Sequence, residues 1–90
     1  MAIEIQLPPV FRHLAGVMGS VAVNGSTVGE CLEVLAERYP VLREHIFSTP
    51  GSMRPGLAVY VNGETGGQEQ LARPLVEGDT LFVAQLVLGG

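Results

Sequence analysis

Leu81-Phe82-Val83-Ala84-Gln85-Leu86-Val87-Leu88-Gly89-Gly90 is the most strand-like stretch of the chain, and it runs straight into two glycines. From Leu81 onward the alternating and apolar residues, broken only by Gln85, read as a strand. Gly89 and Gly90 have no Cβ, so this end is thin enough for a narrow channel and free in φ and ψ. Residues 87–90 span about 13 Å when extended. The stretch predicts a folded domain over residues 1–86 and a flexible tail over 87–90, tipped by the α-carboxyl of Gly90. Two glycines can also end a chain by accident, so the reading needs support from the residues upstream.

Working back from that strand, Pro74-Leu75 and Gly78-Asp79 mark a tight turn just before it. Residues 57–62 alternate and are rich in β-branched side chains, a second strand, with Asn62-Gly63 as a turn signal. Residues 68–71 read as a short edge strand and residues 48–56, with two prolines and two glycines, as a loop. Residues 41–47 add a helical turn that brings Leu42, Ile46 and Phe47 to the edge of the core.

The helix lies over residues 27–39. Val28, Cys31, Leu32, Leu35, Ala36 and Tyr39 recur at spacings of three and four and form one apolar stripe, with Glu30, Glu33, Glu37 and Arg38 mostly outside it. Thr27-Val28-Gly29-Glu30 fits a capping box, in which Thr27 accepts from the first turn and Glu30 reaches back to the cap. Pro40 stops the helix at Tyr39. Before it, residues 2–7 alternate as a strand that Pro8-Pro9 ends. Residues 10–16 read as a turn or loose loop with Phe11 and Leu14 tucked inward, and residues 20–23 as a returning strand.

A hairpin, one crossing helix and further strands make an α+β chain with a mixed sheet and the helix across one face. The helix supplies a crossover, so residues 2–7 and 80–86 are expected side by side and parallel. That topology is the β-grasp, or ubiquitin-like, fold.

Composition narrows the function. Ninety residues with 47% hydrophobic side chains build one core. A net charge of −4 with no lysine offers no basic stripe for phosphates, which argues against a nucleic-acid partner. A single cysteine forms no internal disulfide, and no apolar run reaches the ~20 residues of a membrane span, so no membrane role and a cytoplasmic setting are expected. Pro8, Pro9, Arg12 and His13 interrupt the region where a signal peptide would be apolar.

No catalytic constellation emerges. Cys31 lies on the buried stripe, His13 and His45 have no partner at metal-ligand spacing, and residues 63–67 form a turn without the lysine of a phosphate loop. The expectation is a protein that is not an enzyme, with no metal and no permanently bound cofactor.

Val59-Tyr60-Val61-Asn62-Gly63-Glu64, then Pro74-Leu75-Val76-Glu77-Gly78-Asp79-Thr80-Leu81, then Gly89-Gly90 resemble the MoaD/ThiS family of ubiquitin-like sulfur carriers. Pro9, Phe11-Arg12, Gly16, Thr27, Gly29, Leu35 and Tyr39 are most similar to its CysO-like subgroup, which serves cysteine biosynthesis. Gln85-Leu86 stands where the molybdopterin-synthase small subunit commonly carries two prolines, which disfavours docking to that enzyme's large subunit.

The α-carboxyl of Gly90, with an ordinary pKa of about 3.3–3.7, is an anion at neutral pH and a poor electrophile. The resemblance implies a ubiquitin-activating-type enzyme that uses ATP to adenylate it, a sulfur donor that converts it to a thiocarboxylate, and a biosynthetic enzyme that accepts the sulfur. Gly90 is then the covalent carrier, and Gly89, Leu88 and Val87 are read in the partners' channels. If Leu81 and Val83 face the helix, Phe82, Ala84 and Tyr60 face away and form a candidate docking patch. The small subunit of molybdopterin synthase, a protein modifier joined through Gly90 and a plain interaction module remain alternatives.

Overall fold

The computed structural model describes residues 2–66 and 68–85. Its strands are β1 (Ala2–Gln6), β2 (Val21–Asn24), β3 (Phe47–Thr49), β4 (Ser52–Met53), β5 (Leu57–Val61), β6 (Glu64–Gly66) and β7 (Thr80–Gln85). Its helices are α1 (Pro9–Ala15), α2 (Val28–Arg38) and α3 (Arg43–Ile46), with 3-10 turns at Pro40–Leu42 and Gln68–Ala72. Five strands form one sheet in the order β2-β1-β7-β5-β6. β1 and β7 are parallel, pairing Ile5 with Leu81, and the other pairs are antiparallel. This is the expected β-grasp fold.

The sheet buries one face. Ile3, Ile5, Val21, Val23, Val59, Val61, Leu81 and Val83 meet Val28, Cys31, Leu32, Leu35 and Ala36 of α2 in a single core. Each large side chain removed from water there contributes about 1.5–3 kcal/mol. Thr27 caps α2 as expected, its Oγ1 accepting from the Glu30 amide at 3.1 Å. The Glu30 carboxylate reaches one residue further back than a capping box requires. It accepts from the amide and the hydroxyl of Ser26, both at 3.1 Å.

Three segments differ from the sequence expectation. Residues 10–16 are not a loose loop but most of α1. Pro8 and Pro9 end β1 and also start this helix, since a proline in the first turn loses no hydrogen bond and has its φ preset. Gly16 closes it at φ 72°, a conformation that costs a residue with a Cβ, while the Val17 amide donates to the Arg12 carbonyl at 3.0 Å. Phe11 is fully buried, but Leu14 stays partly exposed.

The second difference is at the sheet edge, where the edge strand is β6 and residues 68–72 form a 3-10 turn. Asn62 (φ 49°) and Gly63 (φ 90°) make a two-residue hairpin turn, so the place beside β5 is filled at once. The later segment instead inserts Gln70, whose Nε2 donates to the carbonyls of Val59 and Glu64. Gly66 makes room, because a Cβ there would stand 2.2 Å from Gln70 Cγ.

The third is at residues 48–56, which contain the β3–β4 hairpin rather than a plain loop. Gln68 ties it down, accepting from the Met53 amide at 2.8 Å and donating to the Gly51 carbonyl at 3.0 Å. No helix among the described residues is long and apolar enough to cross a membrane.

Candidate functional site

β7 lies between β1 and β5 and is the last described strand, so whatever fixes β7 fixes the end of the described chain. The fixing point is a knot of polar groups at its start. Asp79 accepts from the Val76 amide at 2.9 Å and from Asn62 Nδ2 at 3.0 Å. The Asn62 Oδ1 accepts from the Thr80 amide at 3.1 Å, and the Asn62 amide donates to the Thr80 carbonyl at 3.0 Å. These bonds lock the β5–β6 turn to the turn before β7 and set the register that pairs Val61 with Leu81. The donated hydrogen bonds, Val76 first and Asn62 second, hold the Asp79 carboxyl below its ordinary pKa.

With that register, Leu81 and Val83 are fully buried against α2 and Phe82 and Ala84 face the other way, as expected. Tyr60 lies directly opposite Phe82 on β5. Their rings meet edge to face with centroids 6.2 Å apart at 66°. Phe82 remains 45% exposed, a large apolar surface in the middle of an open sheet face. Phe82 and Ala84 also line an open groove of about 560 Å³, together with Glu4 and Gln6 of β1, Pro8, Pro9 and Arg12 at the start of α1, and Gln85. Of these lining residues the sequence alone points to Phe82 and Ala84; Pro8, Pro9 and Arg12 join them only because residues 9–15 fold as α1, and Arg12, a cation among mostly apolar neighbours, is the one signal of it in the sequence.

Val87, Leu88, Gly89 and Gly90, the expected covalent carrier and its recognition residues, lie outside the described residues, as does the boundary drawn at residue 86. Cys31 is buried as anticipated, and burial, reinforced by the nearby Glu30, pushes its thiol pKa up and keeps it unreactive. His45 lies against the ring of Phe11 at 5.9 Å, and no group of three metal-ligating side chains occurs among the described residues.

A model of the ThiS family matches residues 5–90. The chain belongs to the ThiS family. It is therefore one of the small ubiquitin-like carrier proteins of the MoaD/ThiS type. Among solved structures, this ThiS-family chain is similar to small archaeal modifier protein 1 of Haloferax volcanii, at 28% identity and a TM-score of 0.85 over 100% of both chains. It is also similar to a chain of the Amycolatopsis orientalis BexX/CysO complex, at 28% identity and a TM-score of 0.82 over 99% of this chain and 100% of that one. Mycobacterium tuberculosis CysO follows, at 26% identity and a TM-score of 0.80 over 94% and 99%. No curated protein matches the sequence significantly.

Proposed function

We propose that this ThiS-family protein carries sulfur as a thiocarboxylate on Gly90 and delivers it to a biosynthetic enzyme. The observation that carries the reading is the family match, which runs through Gly89 and Gly90. An activating enzyme transfers AMP from ATP to the Gly90 carboxylate, releasing pyrophosphate. A sulfide-level donor then attacks the acyl carbon, AMP leaves, and the sulfur remains as a nucleophile attached to the chain. A persulfide donor reaches the same product once a thiol cleaves the acyl disulfide. Phe82, Ala84 and Tyr60 form the docking patch for these partners, and Val87 to Gly90 thread their channels. Likeness to two CysO structures favours cysteine biosynthesis as the destination.

Intact mass spectrometry tests the assignment. After incubation with its activating enzyme, ATP and sulfide, the chain should gain about 16 Da, one oxygen replaced by sulfur. Deleting Gly89 and Gly90 should abolish the gain. A competent enzyme that leaves the wild-type mass unchanged would refute it.

A second reading, attachment of Gly90 to lysines of other proteins, is favoured by the likeness to a small archaeal modifier protein. The chain has no lysine, so it builds no chains on its own side chains. Glycylglycine remnants on target lysines after proteolysis would distinguish this reading from sulfur delivery.

A further inference from the structure

Four of the five arginines have partners. Arg38 donates to the Ala22 carbonyl and Arg54 to the Glu44 carbonyl, Arg43 pairs with Glu33, and Arg73 pairs with Glu64. The side chain of Arg12 bonds to none of the described residues. Its Nε is buried, with no acceptor for its proton among the described residues. The one acid on the same groove, Glu4, accepts instead from the Ser20 hydroxyl at 3.0 Å. A buried guanidinium nitrogen without an acceptor is unusual, because buried donors are nearly always satisfied. It is also a strong anion receptor, since partial desolvation strengthens the attraction.

The position of the groove says what covers it. Gln85, the last described residue, is one of its lining residues, and residues 86–90 follow it in sequence. Those five residues reach at most about 17 Å. Any enzyme that works on the Gly90 carboxyl must therefore hold it within that distance of Gln85, and its surface comes down over this end of the sheet. The occupant has to complement Phe82 and Ala84, the polar Gln6 and the one cation, Arg12, that line the same groove. We infer that the adenylating partner seats an Asp or Glu carboxylate against Arg12 while an adjoining apolar side chain covers Phe82. Arg12 is a specificity-determining contact in a protein of net charge −4, whose overall field repels acidic surfaces. A basic surface drawn by that field would leave Arg12 unpaired. The inference rests on the carrier reading.

ATP–pyrophosphate exchange tests it, using the adenylating enzyme whose exchange depends on the wild-type chain. Arg12→Gln and Arg12→Glu should raise KM for the chain by about tenfold or more and change kcat less than twofold. Arg12→Lys should fall between, since it keeps the charge and loses the planar fork. Arg12→Gln should melt at the wild-type temperature or above, because it removes an unsatisfied donor. A merely structural arginine would lower it.

An unchanged KM for Arg12→Glu overturns the inference, and so does a rise in KM that only follows a fall in melting temperature. A wild-type dimer that Arg12→Glu disperses, seen by sedimentation, overturns it in favour of a second copy in the groove. If Gly89-Gly90 deletion abolishes exchange while Arg12→Glu does not affect it, the carrier reading stands and this inference falls. If no adenylating enzyme exchanges on the wild-type chain, both fall.

Discussion

Asp79 ties two turns together most strongly as the ionised carboxylate. Its carboxyl accepts from Val76 and Asn62, and these bonds lower its pKa below the unfolded value of about 3.9. A group whose pKa is lowered on folding stabilises fully above its unfolded pKa and loses that contribution as pH falls through the folded one. Urea midpoints of wild type and Asp79→Ala should therefore differ most above about pH 5 and converge as pH drops below about 4. A gap that stays constant from pH 6 to pH 2 would show that the charge is irrelevant.

Gly25 makes a second prediction at this scale. A Cβ there would lie 2.7 Å from Cys31 Sγ and 3.1 Å from the Cys31 amide nitrogen. Gly25→Ala should destabilise by about 1–3 kcal/mol, the usual cost of overpacking. Adding Cys31→Ala should recover part of that loss but not all, because the backbone contact remains. Full additivity in a double-mutant cycle would contradict the geometry. Nothing in the sequence pointed to this contact, because it depends on how the turn after β2 folds over the first turn of α2.

At the level of elements, α2 was legible because its apolar spacing, cap and terminating proline agree. Thr27→Ala removes the one side chain that satisfies the Glu30 amide, and should cost about 1 kcal/mol by denaturant unfolding. A loss below a few tenths would mean that water or Ser26 replaces it. α1 was not legible as a helix: at seven residues it is too short for periodicity to register, and its two prolines look the same whether they end a strand or begin a helix. The edge of the sheet was also misplaced. Residues 68–71, Gln-Glu-Gln-Leu, have no local preference for a strand; β6 occupies that edge and Gln70 satisfies the carbonyls of Val59 and Glu64.

For the whole molecule, the order β2-β1-β7-β5-β6 places β7 between two neighbours and beneath α2. Its amides should be among the last to exchange with solvent, because opening them requires breaking the core. In an NMR exchange series Leu81 and Val83 should outlast the amides of β6 and α1. Faster exchange at β7 than at β6 would mean that the sheet opens from its centre.

The open face follows from the same order. Tyr60 and Phe82 were assigned to it correctly, since a period of two leaves only two faces and Leu81 and Val83 claim the buried one. By itself the sequence determined the β-grasp class, the stripe of α2, the alternation of β7 and the Gly-Gly signature, all of them carried by local periodicity or by short contiguous motifs. Tertiary structure alone decided that Asn62 and Asp79 share a knot, that Gln70 bridges a hairpin and that Arg12 shares a groove with Phe82 without a partner among the described residues. Each of those depends on groups far apart in the chain meeting in space, and hydrogen-bond satisfaction between distant residues leaves no periodic trace in a sequence.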